Sequence, residues 1–436
     1  MDAAGELSPG LRGKLLQRLV LPIGLITFVN AIDRMNISYA GHAMSGDIGL
    51  TPDAFGLAVS VFFAAYLLFQ YPHAALLRLI GIRLWMFTAI TLWGVAGICM
   101  SRVETPGEFY LARFLLGMAE AGFAPGMTYY ISRWVPRSAR ATAMAGALAA
   151  VPLSMVLGGP LCGFLLGIES PLGGSPWRGM FLVLALPNFL LAILAAFYFV
   201  DRPAAARWLD DAERAELVEA MARDEGQGDA APPPMPLSAM IRDPWVWRCC
   251  LVWLLIMTGS YALVFWLPQL VRELVPGQGE FTIGVLSALP QLGLMIGLIL
   301  NGRHSDRTGE RLWHVGIAAA LAGVAMLVSA GLPTGWWVLA LLTLAGTGIG
   351  ASQGVFWALP SSVGIGGKVV PVGVIALISM FGTAGGIVGP WLIGAILART
   401  GSFAPAIAVL AAMLIAALAV LLSGRRSVRR MRERTV

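Results

Sequence analysis

Twelve apolar stretches, each of roughly the 20 residues that carry one helix across a bilayer, follow one another along this chain. They fall at 17–41, 55–77, 85–103, 109–131, 143–168, 180–200, 247–271, 282–301, 312–331, 335–360, 371–397 and 402–423, and are numbered here as spans 1 to 12. Among acyl chains a backbone must satisfy its own hydrogen bonds, so a chain of this design is confined to helices. Composition points the same way: 58% of the 436 residues are hydrophobic and only 12% are charged, against about 25% charged in an ordinary soluble domain. That argues against a soluble enzyme, a disordered chain, a nucleic-acid binder and a disulfide scaffold. The four cysteines, Cys99, Cys162, Cys249 and Cys250, lie in or at the ends of apolar stretches. They read as small buried hydrophobes rather than bridges or metal ligands, and neither metal nor cofactor is expected. The polar N-terminus lacks a cleavage pattern, so span 1 is expected to remain as a helix.

The expected fold is an all-α membrane protein of twelve transmembrane helices in two pseudo-symmetric six-helix bundles. The bundles occupy residues 1–200 and 244–424, joined by a hydrophilic linker over 201–243 and followed by a basic tail at 425–436. Within the linker, the run from Asp210 through Val218 reads as a short amphipathic helix capped by an acid, and Pro232 to Pro234 as an irregular tether. An even number of spans puts both termini on one side. That side collects 24 of the 30 basic residues, the opposite side only Arg102, Arg178, Arg272 and Arg399. By the positive-inside rule both termini are cytoplasmic. This distribution accounts for the net charge of +6 without any nucleic acid. Gly158-Gly159-Pro160 in span 5 and Gly389-Pro390 in span 11 stand 230 residues apart, a trace of internal repetition. Two related halves with a site between them at the bilayer midplane are a known transporter layout.

The last two basic residues, Arg34 and Arg113, lie inside spans, as do only two acids, Asp33 and Glu120. All four belong to the first half. A charge near the bilayer centre costs at least about 2.5 kcal/mol, so such groups pair or line a wet cavity. Span 1 runs outward and span 4 inward. At 1.5 Å per residue Asp33 lies about 12 Å below the outer end of span 1, with Arg113 and Glu120 at about 6 and 16 Å in span 4. Arg113 and Glu120, two turns apart, share a face. The four groups are thus expected in one layer of zero net charge, with Asn30 one turn before Arg34 to orient it. Two salt bridges that merely fasten the bundle would explain pairing, but not confinement to one half and one depth. An arginine that binds an anion beside an acid that takes a proton would explain both. Tyr66, Tyr261, Gln353, Trp357 and Ser379 are further candidates for a cavity wall, while His42 and His73 read as structural. The glycine clusters at 158–159 and 385–389 read as packing faces or hinges.

The stretch Asp33-Arg34-Met35-Asn36 and the run Arg113-Phe-Leu-Leu-Gly117-Met-Ala-Glu120-Ala-Gly122-Phe-Ala-Pro125-Gly126, continuing to Trp134-Val-Pro136 and Arg140, form a recognisable signature. To them are added Trp177-Arg178, Asp201-Arg-Pro203, Phe265-Trp266-Leu267-Pro268, the loop Gly302-Arg-His-Ser-Asp306-Arg307-Thr-Gly309-Glu-Arg311, and Phe356 to Pro360. Over nearly its whole length the chain resembles the anion:cation symporters of the major facilitator superfamily, the phthalate, tartrate and galactonate transporter type. The resemblance implies secondary uptake of an organic carboxylate driven by protons. It casts Arg34 as the carboxylate ligand, Asp33 as a protonation site, and Arg113 with Glu120 as a second ion pair and proton site. Tyr66 faces the substrate by the same resemblance, and Asp306, Arg307 and Arg311 form the cytoplasmic gate that holds the halves together when the protein faces outward. The chain departs from the pattern at Arg78-Leu79, Gln70, Leu184, Ser379 and Thr383. The second half is therefore less polar than in sugar-acid carriers, which leans toward an aromatic or otherwise apolar acid.

The expected protein is a multi-pass carrier of the bacterial inner-membrane type, acting as a monomer on an aromatic, hydroxy or sugar acid, with the membrane lipid as its surroundings. Its predicted substrate-binding residues are Arg34, Tyr66, Arg113, Trp357, Ser379 and Asn30, its proton-coupling residues Asp33 and Glu120. The proton gradient drives it, sodium being the other candidate ion. The rivals are a drug or metabolite exporter of the same fold, which would favour an acid-lined cavity poor in arginine, and an anion-binding sensor, which would need a larger soluble domain.

Overall fold

The structure, a computed structural model, describes residues 7–171, 173–226, 241–362, 370 and 372–424. Among the described residues ten helices are long and apolar enough to cross a membrane, and one of them, Pro52–Met100, carries two crossings. Twelve residues separate His73 and Trp85, about 18 Å along a straight helix, yet the Trp85 indole N–H donates to Nδ1 of His73 across 3.2 Å. The chain must fold back between them. It does so at Gly81, whose φ of 77° and ψ of 166° lie outside the helical region in a conformation that favours glycine. Asp201 closes the turn by accepting the backbone N–H of Ile82 at 2.8 Å. Spans 2 and 3 are therefore 52–80 and 82–100. Span 4, expected as one helix, is broken into Pro106–Glu120 and Phe123–Trp134 and completes the twelve.

The remaining spans are Pro9–Ile48, Arg137–Leu166, Pro176–Tyr198, Pro244–Leu274, Glu280–Thr308, Leu312–Gly331 and Trp336–Phe356, then Val372–Thr400 and Phe403–Ser423. Prolines open several of them, where the missing N–H costs nothing. The linker forms a helix over Asp211–Gly226. Its start is a reciprocal cap in which Asp210 Oδ1 accepts the Glu213 N–H at 2.8 Å and Glu213 Oε2 accepts the Asp210 N–H at 3.1 Å. Pro232 to Pro234, Lys368 and the basic tail lie outside the described residues. All four cysteines are free, but Cys99 is exposed rather than buried. It sits in the last turn of span 3.

The first and second six spans meet through glycines. A Cβ on Gly284 in span 8 would fall 2.2 Å from the carbonyl oxygen of Gly159 in span 5, and one on Gly163 would fall 2.4 Å from that of Glu280. Between spans 2 and 11, Gly56 faces the Pro390 carbonyl and Gly394 that of Pro52, at 2.6 and 2.5 Å. Deeper in, Ser60 donates to the Ile387 carbonyl at 2.6 Å, and the Phe63 ring lies 4.5 Å from that of Tyr261. Without a hydrophobic force between helices in lipid, such backbone-to-backbone approach is what holds spans together. All these contacts lie between mid-membrane and the face opposite the linker, termed here the distal face. The face bearing the linker is the terminal face. The molecule is sealed at its distal end.

The seal makes a prediction. Gly284→Val inserts side-chain atoms against backbone that cannot yield, an overpacking cost of about 1–3 kcal/mol. Its thermal midpoint in detergent is expected several degrees below that of the parent protein. Gly24→Ala, with nothing within 4 Å of the added Cβ, should leave the midpoint in place. Equal midpoints for the two variants would contradict the packing described.

Candidate functional site

Span 4 breaks immediately after Glu120, and the break leaves carbonyls in need of donors. His73 Nε2 donates to the Met118 carbonyl at 2.9 Å, while its Nδ1 accepts from Trp85. The Trp93 indole donates to the Ala119 carbonyl at 2.7 Å. His73 is thus structural, as its lack of partners in the sequence suggested, and it fixes the end of the helix that carries Glu120. One turn earlier, a Cβ on Gly117 would stand 2.2 Å from the Phe62 carbonyl oxygen. This brings span 4 against span 2 and puts the Phe62 ring between two guanidinium groups. Arg113 Cζ lies 4.5 Å from its centroid and Arg34 Cζ 5.5 Å, both within cation–π range.

Arg34 and Glu120 form the ion pair at the centre of this arrangement. One carboxylate oxygen, Oε2, accepts from Arg34 Nε at 3.1 Å and from Nη2 at 2.9 Å. Asn30 Oδ1 accepts from Nη2 at 3.5 Å, at the one-turn spacing expected. The two partners differ in access: the Arg34 side chain is 24% exposed and that of Glu120 is 0%. Arg34 faces a cavity of about 150 Å3, which Asn30, Met35, Tyr66, Tyr261 and Phe265 help to line. Its remaining walls include Phe123, Met127, Leu148 and Val151 of spans 4 and 5, so it lies on the terminal side of the distal seal. The Tyr66 ring stands 5.1 Å from the Arg34 guanidinium carbon. The pocket therefore offers one accessible cation, an amide, two phenols and the Thr27 hydroxyl, which donates to its own helix at the Ile23 carbonyl, among otherwise apolar walls.

The other predicted residues fall elsewhere. Asp33 does not pair with Arg34. Adjacent residues on a helix point about 100° apart, and Asp33 turns into the first bundle, where its Oδ2 accepts from Asn188 Nδ2 of span 6 at 2.6 Å. Arg113 and Glu120 do not form the second ion pair the resemblance implied. Arg113 is fully buried, and among the described residues none of its three guanidinium nitrogens has a hydrogen-bond partner, nor does Glu120 Oε1. The second half of the carboxylate is thus left on the buried side of the cluster. Trp357 and Ser379 are not in the cavity. Trp357 is 42% exposed at the end of span 10 and packs edge-on to Trp253. Ser379 is exposed and donates to its own helix at the Ile375 carbonyl. It sits seven residues nearer the terminal face than Gly386, or about 10 Å. Gln353 bonds Ser260 at 2.9 Å. Asp306 pairs with Arg311 at 2.7 Å inside its own loop, and this contact does not bridge the halves. Among the described residues no group of three or more His, Cys, Asp or Glu side chains could hold a metal.

Two residues of the cluster were not singled out from the sequence. Asn188 had a signal, being a lone carboxamide in an apolar helix, where a polar atom needs a partner. Phe62 had none, since nothing distinguishes it from Phe63 or Phe69 until the spans are packed.

Comparison with known proteins agrees with this architecture. The profile of the Major Facilitator Superfamily matches residues 23–365. The "Putative tartrate transporter" of Agrobacterium vitis is 37% identical over 97% of this chain and 93% of its own. The "Quinolone resistance transporter" of Acinetobacter baumannii is 33% identical over 89% and 88%. Among solved structures, the crystal structure of a D-xylose-proton symporter superposes with a TM-score of 0.73 at 14% identity, over 94% of this chain and 97% of that one. A family profile matched over most of the chain, two relatives above 30% identity and the shared twelve-helix fold lead to one conclusion: the chain is a multi-pass membrane transporter of the Major Facilitator Superfamily.

Proposed function

We propose that this protein imports a small organic carboxylate together with protons, acting as a monomer in a bacterial inner membrane with both termini cytoplasmic. The observation that carries the reading is the asymmetric pair at the cavity wall, an accessible Arg34 held by a fully buried Glu120. The relative named for tartrate supports the substrate class. The excess of basic residues on the terminal face supports the orientation. A cavity of about 150 Å3 is the size that holds one benzene ring, and its phenolic and apolar walls suit a monocyclic aromatic acid or a short hydroxy acid.

In the proposed cycle the incoming carboxylate takes both N–H groups of the Arg34 fork, a bidentate pairing that arginine favours. Glu120 then loses its counter-charge in a pocket that water does not reach. It takes up one proton from the side to which the cavity is then open, and substrate and proton move as a neutral pair. Asp33, held by Asn188 away from the pocket, is the second proton site in this scheme. Asp306 with Arg307 and Arg311 re-forms contacts across the halves when the terminal side closes. No cofactor takes part; the proton gradient supplies the energy. Release on the cytoplasmic side returns Glu120 to Arg34.

Export is a second reading, favoured by the 33% identity to the protein named for quinolone resistance. Uptake into proteoliposomes across a panel of aromatic, hydroxy and sugar acids, with the pH gradient imposed in each direction, separates the two. Accumulation against a concentration gradient is expected only when protons flow in with the acid. Arg34→Lys, which keeps the charge but loses the planar fork, is expected to reduce uptake at least about tenfold, as loss of a charged hydrogen bond implies. Full uptake by that variant would overturn Arg34 as the ligand.

Asp33→Asn removes the proposed second proton site while keeping the shape. With only the Glu120 proton left to couple, it is expected to concentrate substrate less far than the parent protein under the same pH gradient, while still exchanging it across the membrane. Accumulation at the parent level would exclude Asp33 from coupling.

A further inference from the structure

A second cavity, of about 360 Å3, opens on the terminal face where the end of span 4, the start of span 5 and the linker helix meet. Four arginines line it, Arg133, Arg137, Arg140 and Arg202, against one acid among the described residues, Asp224. One carboxylate offsets only one of four guanidinium charges, and its Oδ2 accepts the backbone N–H of Arg137 at 2.6 Å rather than an arginine side chain. Arg140 is committed to structure, donating to the Ser132 carbonyl at 2.9 Å and the Val135 carbonyl at 3.2 Å. The other three guanidinium groups form no ion pair among the described residues, and only Arg133 has an aromatic neighbour, Tyr129, at 5.9 Å. Like charges crowded round one cavity repel unless an anion joins them.

The opposite wall is apolar, made by Pro203, Val218, Met221 and Ala222. Val218 is 45% exposed there, although the helix that carries it is anchored through Leu217, which is fully buried. The linker helix is held to the start of span 1 as well: Glu216 accepts the Ser8 N–H at 2.6 Å, and Glu213 pairs with Lys14. Nearby, at the end of span 6, Arg18 lies 5.1 Å from the ring of half-buried Tyr198, while Trp208 stacks on the fully buried Trp134 at 5.6 Å and 16°. Aromatic side chains with neighbouring arginines at helix ends mark the headgroup level of a bilayer.

We propose that this cavity binds a phosphate-bearing anion, and that the anion is the headgroup of an acidic phospholipid, its phosphodiester held by Arg133, Arg137 and Arg202 and its glycerol lying on the apolar wall of the linker helix. A free phosphate would use the same guanidinium groups, but would have no use for Val218 and Met221. A lipid seated there touches both the transmembrane bundle and the linker, and fastens one to the other. The inference rests on the membrane placement of the protein and is independent of what Arg34 carries.

The test is native mass spectrometry of the full chain in detergent, with phosphatidylglycerol or phosphatidylcholine added. Three proteins are compared: the parent, the pocket variant R133Q/R137Q/R202Q, and a control R12Q/R78Q/R303Q that removes equal charge elsewhere on the same face. Phosphatidylglycerol is expected to bind the parent and the control alike and the pocket variant roughly tenfold more weakly or worse, each arginine contributing about a factor of five at a membrane surface. Phosphatidylcholine should not distinguish the three. The single variant R202Q, whose side chain holds no hydrogen bond among the described residues, should show a partial loss even if the triple variant fails to fold. Equal loss in control and pocket variants would show diffuse surface attraction and overturn the site. Displacement of the lipid by inorganic phosphate at equal concentration would overturn the lipid assignment in favour of a soluble anion.

Discussion

A charge taken out of water is tolerated in a membrane only when something answers it, and in this protein the answer to Arg34 is a single oxygen of Glu120. Much of the surrounding structure serves that contact. Span 4 ends a helix at Glu120, the freed carbonyls are met by His73 and Trp93, and Gly117 lets the helix lie against Phe62. Each side chain has its place because a backbone group before it has been satisfied. The outcome is a carboxylate with no access to solvent beside a guanidinium that has some. An ion pair built only for stability gains nothing from that asymmetry, whereas a pair meant to be opened by an arriving anion requires it.

The distal seal is the complement of the pair. Close approach at Gly159 and Gly284, and at Gly56 and Pro390, uses backbone rather than long side chains, so the contact surface is smooth and holds few polar bonds that must break. Such a surface can part and re-form with little loss of directed interaction. The loop with Asp306 and Arg311 shows the other side of the same exchange. Its charges pair with each other while the cavity lies toward the terminal face. In the proposed cycle the free energy that separates the two arrangements is small because each end has contacts the other gives up.

Much of this was legible in the sequence, and the parts that were not have a common cause. Apolar length alone locates twelve crossings, and rarity alone singles out Asp33, Arg34, Arg113 and Glu120. Helical spacing also places Asn30 beside Arg34. What spacing cannot supply is rotation. Asp33 and Arg34 are neighbours in the chain, yet one turns to Asn188 and the other to Glu120, a choice made by how span 1 is rotated against spans 4 and 6. Arg113 shares a face with Glu120 as predicted, but the Phe62 ring lies over it and the expected second ion pair is absent. Trp357 and Ser379, chosen for chemistry rather than position, stand nearer the terminal face than the pocket. The break after Glu120 does have a signal in the sequence: Pro125 has no N–H for the Ala121 carbonyl and Gly122 stands in the gap, while the carbonyls freed before it are met by His73 and Trp93 from neighbouring spans.

The account stands on the exchange of partners at Arg34. Calorimetric titration of the purified protein with a carboxylate ligand, in two buffers of different ionisation enthalpy, counts the protons taken up as the acid binds. For the parent protein, near neutral pH, about one proton per ligand is expected, and for Glu120→Gln none, with binding itself retained. Binding without proton uptake in the parent, or undiminished uptake in the variant, would contradict the claim that the anion and the buried carboxylate compete for one guanidinium.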